Sequence, residues 1–355
     1  MRAVLLTGHG GYEMLEVRDD VPVPTPGPTD VLVRVAASSV NNTDVNTRAG
    51  WYSKGVQSGT DAGAALGFET AKAHDAAWTG AAVAFPRIQG ADCCGRIVAV
   101  GEQVDAVRIG ERVLVRPVFD SPDAPPPAFW WFGADCDGAF AEYALAPANE
   151  TYRVECEWDD VVLAAVPCAF STAENMLHRA NAAAGERVLV TGASGGVGAA
   201  AVQLAKRRGA EVVAVTAENK ADAVRALGAD AIVPRGADLE ETLGRESVNV
   251  VLDLVGGAGW SRLLELLRPR GRLAISGAIA GPIAEIDLRT LYLHDLTVLG
   301  CTYQERDVFE HVVRYVERDK IRPVVAKTYP LEDVVQAQRD FVEKGFVGKL
   351  VLRVA

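Results

Sequence analysis

The sequence predicts an α/β protein in which a β-rich segment precedes a doubly wound parallel sheet. Three observations carry that expectation. From about Asp160 onward, apolar strand-like runs alternate with helical segments, the pattern of a parallel sheet covered on both faces. Before it, short β-type runs are punctuated by Gly and Pro, with little helical periodicity. Between one strand and one helix of the second half lies the glycine-rich turn Ala193-Ser-Gly-Gly-Val-Gly198. The 355 residues suit about two domains. With 49% hydrophobic and 23% charged residues, the chain has enough apolar surface for a full core, which excludes intrinsic disorder.

Taken in order, Val31–Ala36, Gly95–Val100, Arg112–Val115 and Ala141–Ala144 read as strands. The Pro-rich runs Val21–Pro28 and Ser121–Pro127 read as loop or extended chain. Gly50–Ala82 has no clear period and reads as a long irregular excursion, a kind of segment that is often functional. In the second half Arg187–Thr191, Glu211–Ala217, Ala231–Pro234, Val248–Leu254, Gly271–Ser276 and Leu296–Leu299 are expected strands. Gly196–Arg208, Lys220–Leu227 and Gly259–Leu267 are expected helices between them. A helix Asp307–Glu317 and a last strand Lys349–Val354 follow, the latter more in keeping with the first half.

Composition excludes several classes. A formal charge of −11 opposes nucleic acid or an anionic membrane as partner, since phosphate binding needs a positive field. The longest apolar run, Val161–Phe170, is too short for a membrane span and contains Pro167. The opening MRAVLLTGHGG breaks into glycines before it could form a signal-peptide core, so a cytoplasmic protein is expected. Six cysteines with no CxxC spacing read as buried thiols rather than as disulfides or a thiolate-rich zinc site.

The glycine turn carries the chemistry. Gly195 lets backbone approach a pyrophosphate, and Gly198 lets the helix pack closely on the strand. The helix start at Gly196 and Val197 offers free N–H groups and a positive dipole end. Gly192 and Ser194 complete the loop. Strand, turn, helix and second strand in that order point to a dinucleotide. The tip of the second strand, Val215-Thr-Ala217, lacks the acid that accepts from ribose hydroxyls in NAD sites; Glu218 follows one residue later and Lys220 two beyond that. Lys220 suits a 2′-phosphate, so NADPH is favoured over NAD.

Across nearly its whole length the chain resembles the medium-chain dehydrogenase/reductase superfamily, most closely its zinc-free quinone-oxidoreductase branch. The resemblance rests on Asn41-Asn-Thr-Asp44, Gly90-Ala-Asp-Cys-Cys-Gly-Arg-Ile-Val-Ala-Val-Gly101, Gly110-Glu-Arg-Val113 and Gly138-Ala-Phe-Ala-Glu-Tyr143. Phe170-Ser-Thr-Ala-Glu174, the glycine turn, Asp253-Leu-Val-Gly256 and Gly348-Lys-Leu-Val351 follow in the same order. It implies a GroES-like β-barrel domain over 1–158 and 304–355, a Rossmann doubly wound parallel sheet over 159–303, and a cleft between them. It also implies that Asn41 and Asp44 line the nicotinamide site, with Tyr52 reaching the cleft and Thr172, Ser276 and Lys349 contacting the cofactor. Asp44 is equally able to anchor its own loop through backbone N–H groups. Asn46 stands where the branch often has a Tyr.

In the zinc-dependent members of the family, zinc takes a Cys, a His and a second Cys. Asn41, Ala91 and Cys168 match those positions here, and one thiol cannot hold the ion. No metal site is expected. Without a Lewis acid, a hydride from NADPH suits an acceptor already electron-poor, a quinone or an α,β-unsaturated carbonyl. The alternatives are a non-catalytic, crystallin-like or regulatory dinucleotide-binding protein and a zinc-type alcohol dehydrogenase. Phe129-Trp-Trp-Phe132 cannot all face one core; it divides between substrate wall and packing or subunit contact. If it is a wall, the substrate is bulky and apolar; the partner expected from the chemistry above is a small apolar conjugated substrate. Leu296–Leu299 resembles the edge through which family dimers join, so a homodimer is expected.

Overall fold

The computed structural model describes residues 1–121 and 128–354. Six strands form one parallel sheet, in the spatial order Ala231–Pro234, Glu211–Thr216, Arg187–Val190, Val248–Asp253, Leu267–Ile275, Thr297–Gly300. Counted along the chain this is the Rossmann order 3-2-1-4-5-6. The winding reverses between Arg187–Val190 and Val248–Asp253, so their carboxyl ends open a crevice. Successive residues of these strands serve two cores. Val188, Val190, Val250 and Leu252 pack in one, and Leu189, Val213, Val251 and Leu273 pack in the other. Burial on both faces is why the strands read as continuous branched runs.

All six expected strands of this half are present, Ala231–Pro234 with the same bounds and the other five with shifted ends. The helix expected over Gly259–Leu267 shrinks to Arg262–Glu265, and strand pairing resumes at Leu267. Gly256 and Gly257, with φ of 64° and 79°, delay the helix. Arg270, at φ 64°, lets the chain loop between the pairs Val248–Leu267 and Val250–Arg272. Lys220–Leu227 shortens to Ala221–Ala226 behind a single turn at Glu218–Lys220.

In the first half Asp30–Ser39 is the axis of a seven-stranded sheet. It pairs with Cys94–Val100, with Tyr143–Pro147 and with the closing strand Lys349–Arg353. The C-terminal stretch therefore returns to the first sheet, as its composition suggested. The strand expected at Ala141–Ala144 begins at Tyr143 instead, because Phe140 is engaged with the first strand, Ala3–Leu6: its carbonyl accepts from Val4 N–H at 2.9 Å. Gly50–Ala82 is irregular apart from two single turns, and docks on the second half through Thr60 N–H to Ile279 O (2.9 Å). The Pro-rich stretch Val21–Pro28 has no regular structure. Its counterpart after Ser121 lies outside the described residues. No helix among the described residues is long and apolar enough to cross a membrane.

Two helices that position the site gave no periodic signal. In Asn42–Ala49 every residue from Thr43 onward is buried, and in Pro167–Arg179 the first eleven are. A helix enclosed on all sides has no polar face to set a period.

Candidate active site

One cavity of about 1600 Å³ runs from the crevice of the parallel sheet to the edge of the first sheet. It is lined by Gly192, Ser194, Gly195, Gly196, Val197 and Gly198 at one side and by Asn41, Tyr52, Thr172, Lys220, Ser276 and Lys349 around it.

The turn is shaped by contacts that exclude side chains. A Cβ on Gly198 would lie 2.2 Å from Gly192 O, whereas one on Gly195 would meet only that oxygen at 3.5 Å and otherwise face open space. The turn thus leaves an empty cradle beside the helix Gly196–Arg207, whose first amides have no carbonyl a turn earlier to bond. Such a terminus holds a phosphate group. Asp253 braces the switch point: it accepts from Thr191 Oγ1 (2.6 Å) and from Gly256 N–H (3.0 Å), and burial pushes its carboxyl up. Ser276 is tied by its hydroxyl to Cys301 O (2.8 Å).

At the next corner three cations converge. Lys220 Nζ donates to Lys344 O, Lys344 Nζ donates to Asn42 Oδ1 (3.1 Å), and Arg235 lines the same wall. Burial, then the charge of Arg235, lowers Lys220. Burial also brings Lys344 down to about 8, opposed by Asp61 and aided by Lys220 and Lys349. Glu218 is exposed and does not line the cavity. A negatively charged group placed at this corner would relieve the crowding of positive charge.

The opposite corner holds a buried knot. Asp92 Oδ2 accepts from Lys349 Nζ (3.0 Å), Asn41 Nδ2 (2.8 Å) and Ser39 Oγ, while Asp92 Oδ1 accepts Cys168 N–H (2.7 Å). Lys349 also donates to Asn41 Oδ1. Its stem passes so close beneath the glycine turn that a Cβ on Gly196 would lie 2.6 Å from Lys349 Cδ. Gly348 N–H to Ser194 O (2.9 Å) joins the closing strand to the turn. The residues matching the family's zinc positions do not form a donor set. The Asn41 amide is engaged on both sides, Ala91 is a buried methyl, and burial beside Asp92 pushes the Cys168 thiol up, away from the thiolate a metal needs. Among the described residues no cluster of His, Cys, Asp and Glu suits a metal.

Asp44, expected at the nicotinamide site, does not line the cavity. It sits behind the wall at the third position of the helix Asn42–Ala49, accepting from Asn41 N–H (2.8 Å) and Gly90 N–H (3.2 Å). That is the anchoring role its short carboxylate fills at a helix start. Burial raises its carboxyl to about 7.

The aromatic run divides. Phe132 is fully buried and packs on Phe119 (5.2 Å), whereas Phe129, Trp130 and Trp131 line the cavity. Trp131 stacks on Trp78 (4.5 Å, 22°), Tyr52 meets Trp78 edge-on (4.7 Å), and Trp51 meets Tyr52 (5.5 Å). Trp131 shares an apolar cluster with Ala91 and Cys168, so this wall abuts the Asp92 knot. Burial raises the Tyr52 hydroxyl well above its ordinary value, partly offset by a hydrogen bond with Asn46. Sequence reasoning missed Thr43, Arg235 and Lys344, all of which line the cavity. Arg235 directly follows a strand end and Thr43 lies within the Asn41–Asp44 motif, which are usable signals; Lys344 carries no motif.

Residues 27–155 match the family model described as alcohol dehydrogenase GroES-like domain, and 196–318 match that described as zinc-binding dehydrogenase. The chain is 30% identical over 366 residues to quinone oxidoreductase of Lama guanicoe, covering 99% of this chain and 97% of that one. It is equally 30% identical over 366 residues to acryloyl-coenzyme A reductase of Metallosphaera sedula, covering 99% of each. A solved structure from Sinorhizobium meliloti 1021, provisionally designated an alcohol dehydrogenase, is 45% identical with a TM-score of 0.87, over 99% of this chain and 96% of that one. On the glycine turn, the paired folds and these matches, the chain belongs to the medium-chain dehydrogenase/reductase superfamily of dinucleotide-binding oxidoreductases, in its quinone-oxidoreductase-like branch.

Proposed function

We propose that this chain is a zinc-independent reductase that uses NADPH to reduce a quinone or another α,β-unsaturated carbonyl. The observation that carries the reading is the buried Lys349–Asp92–Asn41 knot, in which an ammonium and an amide occupy the corner where zinc-dependent relatives need ligands. NADPH, held by the glycine turn, would supply a hydride to the conjugated acceptor, and a solvent proton would complete the enol or hydroquinone. Without a Lewis acid the acceptor must itself delocalise the charge. Thr43 lines the cavity, and its buried Oγ1 has no hydrogen-bond partner among the described residues. Asn41 orients through Lys349, and Thr172, hydrogen-bonded by Gln304 Nε2 (3.3 Å), borders the same space. Lys220, Arg235 and Lys344 favour the 2′-phosphate of NADPH, and Glu218, exposed outside the cavity, does not oppose it.

In this reading residues 1–158 with 304–355 form the catalytic domain and 159–303 the dinucleotide domain. The exposed edge strand Thr297–Gly300, with Tyr292 and Leu293 at 63% and 68% exposure beside it, supports a homodimer. A single-chain mass in sedimentation velocity would refute that assembly.

The test is turnover by chelator-dialysed protein. NADPH oxidation with 1,4-benzoquinone at an undiminished rate, and no reduction of NAD or NADP by 1-propanol, supports the reading. Zinc at about one per chain whose removal abolishes turnover overturns it. Tight NADPH binding without turnover on any acceptor favours a non-catalytic protein instead.

A further inference from the structure

The substrate end of the cavity is built differently from the cofactor end, and the difference specifies what it admits. Resting on the reductase reading above, we propose that the stacked pair Trp78–Trp131 determines specificity: it selects a flat, uncharged acceptor of at least two fused rings and turns away acyl-coenzyme A thioesters.

The geometry is one indole, Trp78, backed by a second, Trp131. Trp131 is held at 3% exposure in the cluster with Ala91 and Cys168, and Asp135 accepts its backbone N–H at 2.8 Å. Trp78 comes from the irregular excursion, lies half-buried, and stacks on Trp131 at 4.5 Å with 22° between planes. Tyr52 braces Trp78 edge-on. Trp131 backs the Trp78 indole, which is itself two fused rings, so an acceptor of that size covers it whereas a one-ring acceptor leaves part of it unused.

Charge decides against the thioester. Coenzyme A carries several phosphate charges that need cations or helix starts. Among the described residues the cavity is lined by five Lys or Arg side chains. Lys220, Arg235 and Lys344 gather at the corner read above as the 2′-phosphate site, and Lys349 is consumed by Asp92. Only Arg87 lies at the aromatic end; it is ion-paired with Asp137 at 2.8 Å and neighbours the Asp135 carboxylate. A phosphate chain entering past the indoles would meet no free positive charge.

The experiment compares wild type, Trp78→Ala and Trp131→Phe with NADPH and three acceptors: 1,4-naphthoquinone, 1,4-benzoquinone and acryloyl-coenzyme A. Wild type is expected to show kcat/KM about tenfold higher for naphthoquinone than for benzoquinone, and poor use of the thioester. Trp78→Ala is expected to reduce naphthoquinone kcat/KM about tenfold, mostly through KM, and benzoquinone less than about threefold. Binding is read separately from turnover: naphthoquinone should quench tryptophan fluorescence of the NADPH-bound wild type, and less so in Trp78→Ala. Unchanged NADPH affinity shows that the variants are folded, and Trp131→Phe supplies a milder change should the alanine variant fail to fold. Equal losses on both quinones, or acryloyl-coenzyme A used as well as naphthoquinone, overturns the inference and leaves the reductase reading standing. No turnover on any acceptor sinks the reductase reading; a Trp78-dependent quench would then keep the aromatic face as a binding site, and its absence would end both.

Discussion

Lys344 offers a way to detect which dinucleotide the cavity is built for. Burial and the neighbouring Lys220 and Lys349 bring its ammonium to about 8 in the free protein. A phosphate at that corner requires the charged form. The sign follows: as pH rises through 8 the free protein loses the proton, and binding NADPH must then take one up, so affinity falls. The 2′-phosphate is already dianionic above pH 7 and adds no opposing change. At pH 9 a group titrating near 8 is about one-tenth charged, so the NADPH Kd should weaken about tenfold between pH 7 and 9, roughly 1.4 kcal/mol. NADH, lacking the phosphate, should shift much less. Lys344→Gln should weaken NADPH by one to two orders of magnitude at pH 7, the size of a charge-assisted hydrogen bond, and should abolish the step near pH 8. The assay is nicotinamide fluorescence titration at constant ionic strength, since screening would otherwise imitate the trend. Parallel pH profiles for NADPH and NADH in the wild type, or a step that survives in Lys344→Gln, would refute the assignment of this corner.

Two further outcomes concern the buried carboxylates. Lys349→Met leaves Asp92, wholly buried, with its ammonium partner gone, and should cost about 3–5 kcal/mol in denaturant unfolding. The double variant with Asp92→Asn should recover much of that loss, and a single variant within about 1 kcal/mol of wild type would contradict the knot. Asp44 is raised from 3.8 to about 7 by burial, so the folded protein holds its proton more tightly than the unfolded chain does. Its contribution to stability is full below pH 4 and is lost as pH rises toward 7. Asp44→Asn should flatten that part of the melting-temperature profile; an unchanged slope would rule the contribution out.

The parallel sheet was legible because its strands are buried on both faces and its first turn needs glycine at fixed places. Gly198 cannot carry a Cβ beside Gly192 O, and that restriction is written in the residue itself. The poor zinc donors Asn41 and Ala91 were equally readable. Asp44 was not: a carboxylate three residues into a helix reads the same whether it faces a ligand or caps its own backbone, and only the packed fold distinguishes the two. The same holds for the corner of Lys220, Arg235 and Lys344, drawn from three separate elements, and for Trp78 meeting Trp131. Local restrictions on backbone and side-chain chemistry act within a few residues, so they survive in the linear chain. Encounters between residues far apart in it, and the burial that sets their charge, come into being only when the chain folds on itself.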